Sequence, residues 1–109
     1  MSELALNPYA EIWVSLASLL RSYTAAHGLN GSRQATVELG EERITVRQGD
    51  NRLDLRRSGQ QVDWRREDGR GGVLELTEAG RLRSVGGTEH DEELELDMAA
   101  EKWARELMR

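Results

Sequence analysis

Between Ala35 and Leu96 the chain runs through seven short segments in which apolar and polar residues alternate almost without error. Side chains of a β-strand switch face at every residue. If each segment is a strand, Ala35/Val37/Leu39, Ile44/Val46, Leu53/Leu55, Val62/Trp64, Leu74/Leu76, Leu82 and Leu94/Leu96 all point to one side. The other side then carries Glu38, Arg43, Thr45, Arg47, Arg52, Asp54, Arg56, Asp63, Arg65, Glu75, Thr77, Arg81, Arg83, Glu93 and Glu95. A sheet with one oily face and one charged face must cover the oily one.

The connections between these segments are short and carry turn chemistry: Gly40–Glu41–Glu42, Gly49–Asp50, Ser58–Gly59, 67–72, Glu78–Ala79–Gly80 and Gly86–Gly87–Thr88. A parallel return needs a dozen or more residues, so these strands pair antiparallel in a meander. A two-residue Gly49–Asp50 turn sets Val46 opposite Leu53 and Ile44 opposite Leu55. A three-residue Glu78–Ala79–Gly80 turn sets Glu75 opposite Arg83. Between Leu55 and Val62, a tight Ser58–Gly59 turn would face Asp54 with Asp63 and Arg52 with Arg65. A looser loop from Ser58 to Gln61 pairs Arg56 with Asp63 and Asp54 with Arg65, and is favoured because opposite cross-strand charges contribute about 0.2–1 kcal/mol each.

Helices flank this region. Asn7–Pro8 is a helix start, with Asn as cap and Pro at the first helical position. Ile12, Leu16, Leu19, Leu20 and Tyr23 then recur at helical spacing, widened by Tyr9, Trp13 and Ala17. His27–Gly28–Leu29 reads as the end and Asn30–Gly31–Ser32–Arg33 as a linker. At the other end Glu93–Leu94–Glu95–Leu96 has period two, while Leu96, Ala99, Ala100, Trp103 and Leu107 have a helical period. Asp97 is expected to be the switch, as N-cap of the last helix; a longer helix from near Asp91 is the alternative.

The expected architecture is α+β: an N-terminal helix over 8–27, an antiparallel meander of six or seven strands over 35–96, and a C-terminal helix over 97–108. Both helices pack on one face of the sheet, in a single domain spanning 1–109. The length suits one core, and two amphipathic helices supply the cover that the sheet needs.

Composition narrows the function classes. With no Cys among 109 residues, disulfides, thiolate nucleophiles and thiolate metal sites are excluded. His27 and His90 are the only histidines, and neither an H-E-x-x-H nor a G-x-S-x-G pattern occurs. His27 reads as a helix-end residue. His90–Asp91–Glu92–Glu93 has metal-friendly residue types, but a clustered loop run lacks fixed geometry, so no metal and no cofactor are expected. Gly69–Arg70–Gly71–Gly72 lies between two strands, whereas nucleotide phosphate loops lead into a helix. Nothing at the N-terminus resembles a signal peptide and no stretch approaches a membrane span, so a cytoplasmic protein is expected. Fourteen of the fifteen basic residues are Arg, with Lys102 the single Lys, which suggests a GC-rich bacterial genome.

The net charge of −5 is uneven: residues 33–83 carry eleven Arg against ten acids, and residues 89–101 carry seven acids with no Lys or Arg. The leading expectation is a small non-enzymatic binding or assembly module, with a homodimer or a protein partner. Leu4, Leu6, Val14, Val85 and Met108 lie off the main stripes and are the apolar positions left for such association. Nucleic-acid binding through Arg43, Arg47, Arg52, Arg56, Arg65, Arg81 and Arg83 is the alternative. It is weakened because no aromatic is expected on that face to stack on bases and because acids interleave the arginines. An enzyme using carboxylates such as Asp54 and Asp63 is a second alternative. No catalytic residue is marked by any motif.

Overall fold

The computed structural model describes residues 8–28, 34–84 and 93–108. Helix α1 covers Pro8–His27, followed by strands β1 Thr36–Leu39, β2 Arg43–Gln48, β3 Asn51–Ser58, β4 Gln61–Arg66, β5 Gly71–Leu76, β6 Arg81–Ser84 and β7 Glu93–Glu95. Helix α2, Leu96–Leu107, closes the order. The strands form one seven-stranded sheet in sequence order, each antiparallel to the next. The caps and contacts expected of Leu4, Leu6, Asn7, Leu29 and Val85, the linker 30–33, the turn 86–88 and the run 90–92 lie outside the described residues.

Turn chemistry sets the register. Gln48 pairs with Asn51 across Gly49–Asp50, so Val46 faces Leu53 and Ile44 faces Leu55. Ser58 pairs with Gln61, leaving a two-residue Gly59–Gln60 turn that is tighter than the four-residue loop but keeps its register, with Arg56 opposite Asp63 and Asp54 opposite Arg65. Gly49 and Gly59 hold φ of 60° and 62° at the first central positions of these turns, where a Cβ would be strained. Thr77 N–H donates to the Arg81 carbonyl across the three-residue turn, and Glu75 stands opposite Arg83.

Both helices lie on the apolar face. Trp13, Leu16, Ala17 and Leu20 of α1 meet Ala99, Ala100, Trp103 and Leu107 of α2 over Ile44, Val46, Leu53, Leu55, Val62, Leu76 and Leu82 in one core. The alanines let the helices approach closely. Burying each of the larger side chains contributes about 1.5–3 kcal/mol.

The sequence expectation needs correction at three places. The last helix starts at Leu96, one residue before Asp97, and the N-cap position falls to Glu95, whose side chain makes no cap hydrogen bond. Leu96 N–H instead donates to the Gly80 carbonyl, so the helix begins where the ladder to β6 runs out. Asp97 in the first turn suits the helix dipole and accepts the Tyr23 hydroxyl. Leu39, placed on the apolar face by parity, is 38% exposed at the end of edge strand β1. Met108, read as off the stripe, is buried.

The free edge of β1 is partly closed by α1. Gly40 N–H donates to the Arg43 carbonyl, which fixes the alternation so that the backbone of Val37 faces away from β2. Arg21 Nη2 donates to that Val37 carbonyl at 3.5 Å. A charged side chain on an edge is a guard against unwanted strand addition.

Candidate functional site

The sheet's apolar face is not covered evenly. On its β4–β7 side, the ladder lines up Trp64 opposite Gly72, Leu74 opposite Ser84, and Leu82 opposite Leu94. Helix α2 contributes Ala99 and Trp103 to the same side of the sheet. The result is a cleft of about 260 Å³ lined by Trp64, Leu74, Leu82, Leu94, Ala99 and Trp103, with Arg70, Ser84, Lys102 and Glu106 among its polar groups. Trp64, Leu74 and Leu94 are only partly buried, so the cleft presents aromatic and aliphatic surface to solvent.

Gly72 shapes this wall. A Cβ there would lie 2.8 Å from Trp64 Nε1, so the indole can lie over β5 only because the residue is glycine.

Most of the charges at the cleft are committed. Arg70 Nε binds Asp68 Oδ2 at 2.8 Å, and the Arg70 N–H also donates to that carboxylate, holding its pKa below the ordinary value. Glu106 accepts from Arg66 Nη1 at 3.2 Å. Arg66 itself is buried, and its Nε donates to the Arg52 carbonyl at 3.1 Å and to Glu67 at 3.2 Å. Lys102 has no ion pair among the described residues. A second hollow of about 290 Å³ shares Leu94 and Lys102 with the first and is bordered by Tyr23, Asp97, Met98, Glu101 and Arg105. Met98 is 58% exposed there. Its acids are engaged: Asp97 by the Tyr23 hydroxyl, and Glu101 by Arg105 Nη2 at 2.6 Å and His27 Nε2 at 3.2 Å. The hydrogen bond to Asp97, which holds the phenol proton, pushes Tyr23 above its ordinary pKa, while the Arg105 contact lowers Glu101.

The arginine face divides in two. On β6, Arg83 binds Glu75 at 2.6 Å, and Arg81 binds Glu93 at 3.3 Å with Glu95 at 3.9 Å. On β2–β4 the register sets Arg43 directly opposite Arg56, and Arg47 opposite Arg52. Like charges in that relation repel. Asp54 relieves part of this repulsion, binding Arg43 and Arg52 at 3.2 Å each and accepting from Thr45 Oγ1 at 2.8 Å. Partial burial acts to raise the Asp54 pKa, but the hydrogen bonds from Thr45 and Arg43 and the charges of Arg43 and Arg52 outweigh it, and the net shift is downward. Asp54 therefore takes its cations from β2 and from its own strand, although Arg65 faces it on β4. Arg47, Arg56 and Arg65 make no ion pair among the described residues. Arg43 and Arg56 also border a shallow hollow of about 380 Å³ with Glu42, Arg57, Ser58, Gln61 and Asp63.

No aromatic side chain stands on this outer face among the described residues: Trp13 and Trp103 are in the core and Tyr9, Tyr23 and Trp64 pack against it. A carboxylate held ionised by two arginines, as Asp54 is, is shifted away from what a general acid near neutral pH needs. Among the described residues no group of three or more His, Asp or Glu is placed to hold a metal ion, and no helix is long and apolar enough to cross a membrane.

Two arginines escaped the sequence reading. Arg57 and Arg66 share parity with Leu53 and Leu55 and with Val62 and Trp64, so the alternation itself directs them inward. Arg57 stacks its guanidinium 5.9 Å from the centre of the Trp13 ring and donates to the Gly59 carbonyl at 2.8 Å. Arg66 ties β4 to the end of α2. No family model, curated protein or solved structure matches this chain.

Proposed function

We propose that this chain is a small non-enzymatic binding module whose working surface is the cleft between α2 and strands β4–β7. The observation that carries this reading is a partly open, largely apolar cleft of about 260 Å³ lined by both Trp64 and Trp103. A lining of hydrophobic and aromatic side chains with a few polar groups is the usual make-up of a small-ligand site. The polar groups around it are Arg70, Ser84, Lys102 and Glu106, which offer binding and orientation rather than a nucleophile paired with a base.

The three tryptophans make the test direct. In a nitrogen-15 NMR screen against a fragment library, the indole N–H signals of Trp64 and Trp103 are expected to shift, while that of core Trp13 stays put. Fragments that bind but shift neither cleft indole would overturn the reading.

A second reading, nucleic-acid binding, is favoured by the opposed pairs Arg43/Arg56 and Arg47/Arg52, which concentrate positive charge on β2–β3. Phosphates would relieve that repulsion. Its mark is affinity that falls steeply with salt. A low-salt mobility-shift assay with single- and double-stranded DNA and RNA decides it, and no retardation of any of them ends it.

A further inference from the structure

We infer that the ligand of the α2 cleft is a small amphipathic anion: one aromatic or branched aliphatic body carrying a single carboxylate. This rests on the cleft being the binding surface, and adds the chemistry of what enters it. Three observations lead there.

Size comes first. At about 260 Å³ the cleft lies just below the range of roughly 300–1,000 Å³ typical of drug-sized ligands, so it suits one ring system and excludes a dinucleotide. Shape follows from the walls. Trp64 is laid over Gly72 by the missing Cβ, and Trp103 descends from α2, so a flat or branched apolar group meets aromatic surface from the sheet and from the helix.

Charge decides the rest. Of the three ionic groups lining the cleft, two are basic, and the acid, Glu106, is already held by Arg66 at 3.2 Å. Arg70 is held by Asp68. Lys102 lines both this cleft and its neighbour and has no ion pair among the described residues. A carboxylate on a ligand whose body lies in the cleft would give that ammonium a partner, and a charge-assisted hydrogen bond is about twice as strong as a neutral one. A cationic ligand would instead meet Lys102 and Arg70 with like charge.

Three probes of one shape test this: 1-naphthaleneacetate, neutral 1-naphthaleneacetamide and cationic 2-(1-naphthyl)ethylamine, each titrated against the whole chain while following the indole N–H signals of Trp64 and Trp103. The acetate is expected to bind about tenfold more tightly than the amide, and the amine most weakly. In the Lys102→Gln variant the acetate should lose more affinity than the amide, so that the gap between the two closes; Lys102 is exposed, so the variant keeps the fold. Equal affinity for acetate and amide, stronger binding of the amine, or an acetate affinity untouched by Lys102→Gln would overturn the inference while leaving the cleft as a binding surface. If none of the probes moves either cleft indole, the inference and the cleft reading fall together.

Discussion

The indole of Trp64 lies so close over its cross-strand partner Gly72 that a methyl group on Gly72 would come within 2.8 Å of Nε1 and 3.3 Å of Cε2. Gly72→Ala must therefore push the indole toward the cleft. Overpacking of this kind costs about 1–3 kcal/mol. The displacement should appear as a change in Trp64 fluorescence and in its indole N–H shift. At neighbouring Gly71 the added carbon would meet the Trp64 carbonyl oxygen at 2.6 Å, and backbone yields less readily than a side chain. Gly71→Ala is expected to be the more destabilising of the two by urea denaturation.

Arg66 and Glu106 give an asymmetric pair of substitutions. Removing Glu106 leaves Arg66 with Glu67 and the Arg52 carbonyl, and the carboxylate itself is a third exposed. Glu106→Ala should cost no more than about 1 kcal/mol. Arg66→Ala removes a buried group with several charge-assisted bonds and its packed stem, and should cost about 2–3 kcal/mol. Equal losses in chemical denaturation would show that Arg66 is not the centre of this contact.

Asp54 makes stability depend on acid in a defined direction. Its pKa is lower folded than unfolded, so its contribution is complete above the unfolded value and is lost as pH falls toward the folded one. The melting-temperature gap between the native chain and Asp54→Asn should be widest near neutrality and close progressively below about pH 5. A gap that stays constant to strongly acid pH would show that Asp54 titrates alike in both states.

Trp13 and Leu16, both buried in α1, should respond differently to truncation. Trp13 Nε1 is buried without a hydrogen-bond partner, and an orphaned donor costs about 1–3 kcal/mol. Trp13→Phe removes that cost while keeping an aromatic face for Arg57, so the lost volume is partly offset and the net change should stay under about 1.5 kcal/mol. Leu16→Ala has no such offset and should cost about 2–5 kcal/mol. Thermal melts of the two variants check the contrast.

Strand parity and turn length carried the sheet a long way: Val46 opposite Leu53, Asp54 opposite Arg65 and Glu75 opposite Arg83 all follow from local spacing. The same parity pointed Arg57 and Arg66 inward, but a basic residue on an apolar face reads as noise until a partner such as the Trp13 ring or Glu106 is known. Helix α2 starts one residue before Asp97 because Leu96 belongs to both periods, and the Leu96 N–H is taken by the Gly80 carbonyl, sixteen residues away in sequence, rather than by a capping side chain. The cleft was not legible at all. It depends on the path α2 takes above β4–β7 and on a single absent Cβ at Gly72, and neither leaves a periodic trace.

Every strand pairing joins neighbours in sequence, yet Tyr23 meets Asp97 and His27 meets Glu101 across 74 positions. This divides the molecule's assembly in time. Hairpins between adjacent strands can zip as soon as each emerges from the ribosome, because little chain has to be looped to close them. The roof over them is different: α1 is made first but has to wait for α2, the element synthesised after the whole sheet. Until α2 has been made, Ile44, Leu55, Val62 and Leu76 lack the cover that this helix supplies, a period in which chaperone protection would matter most.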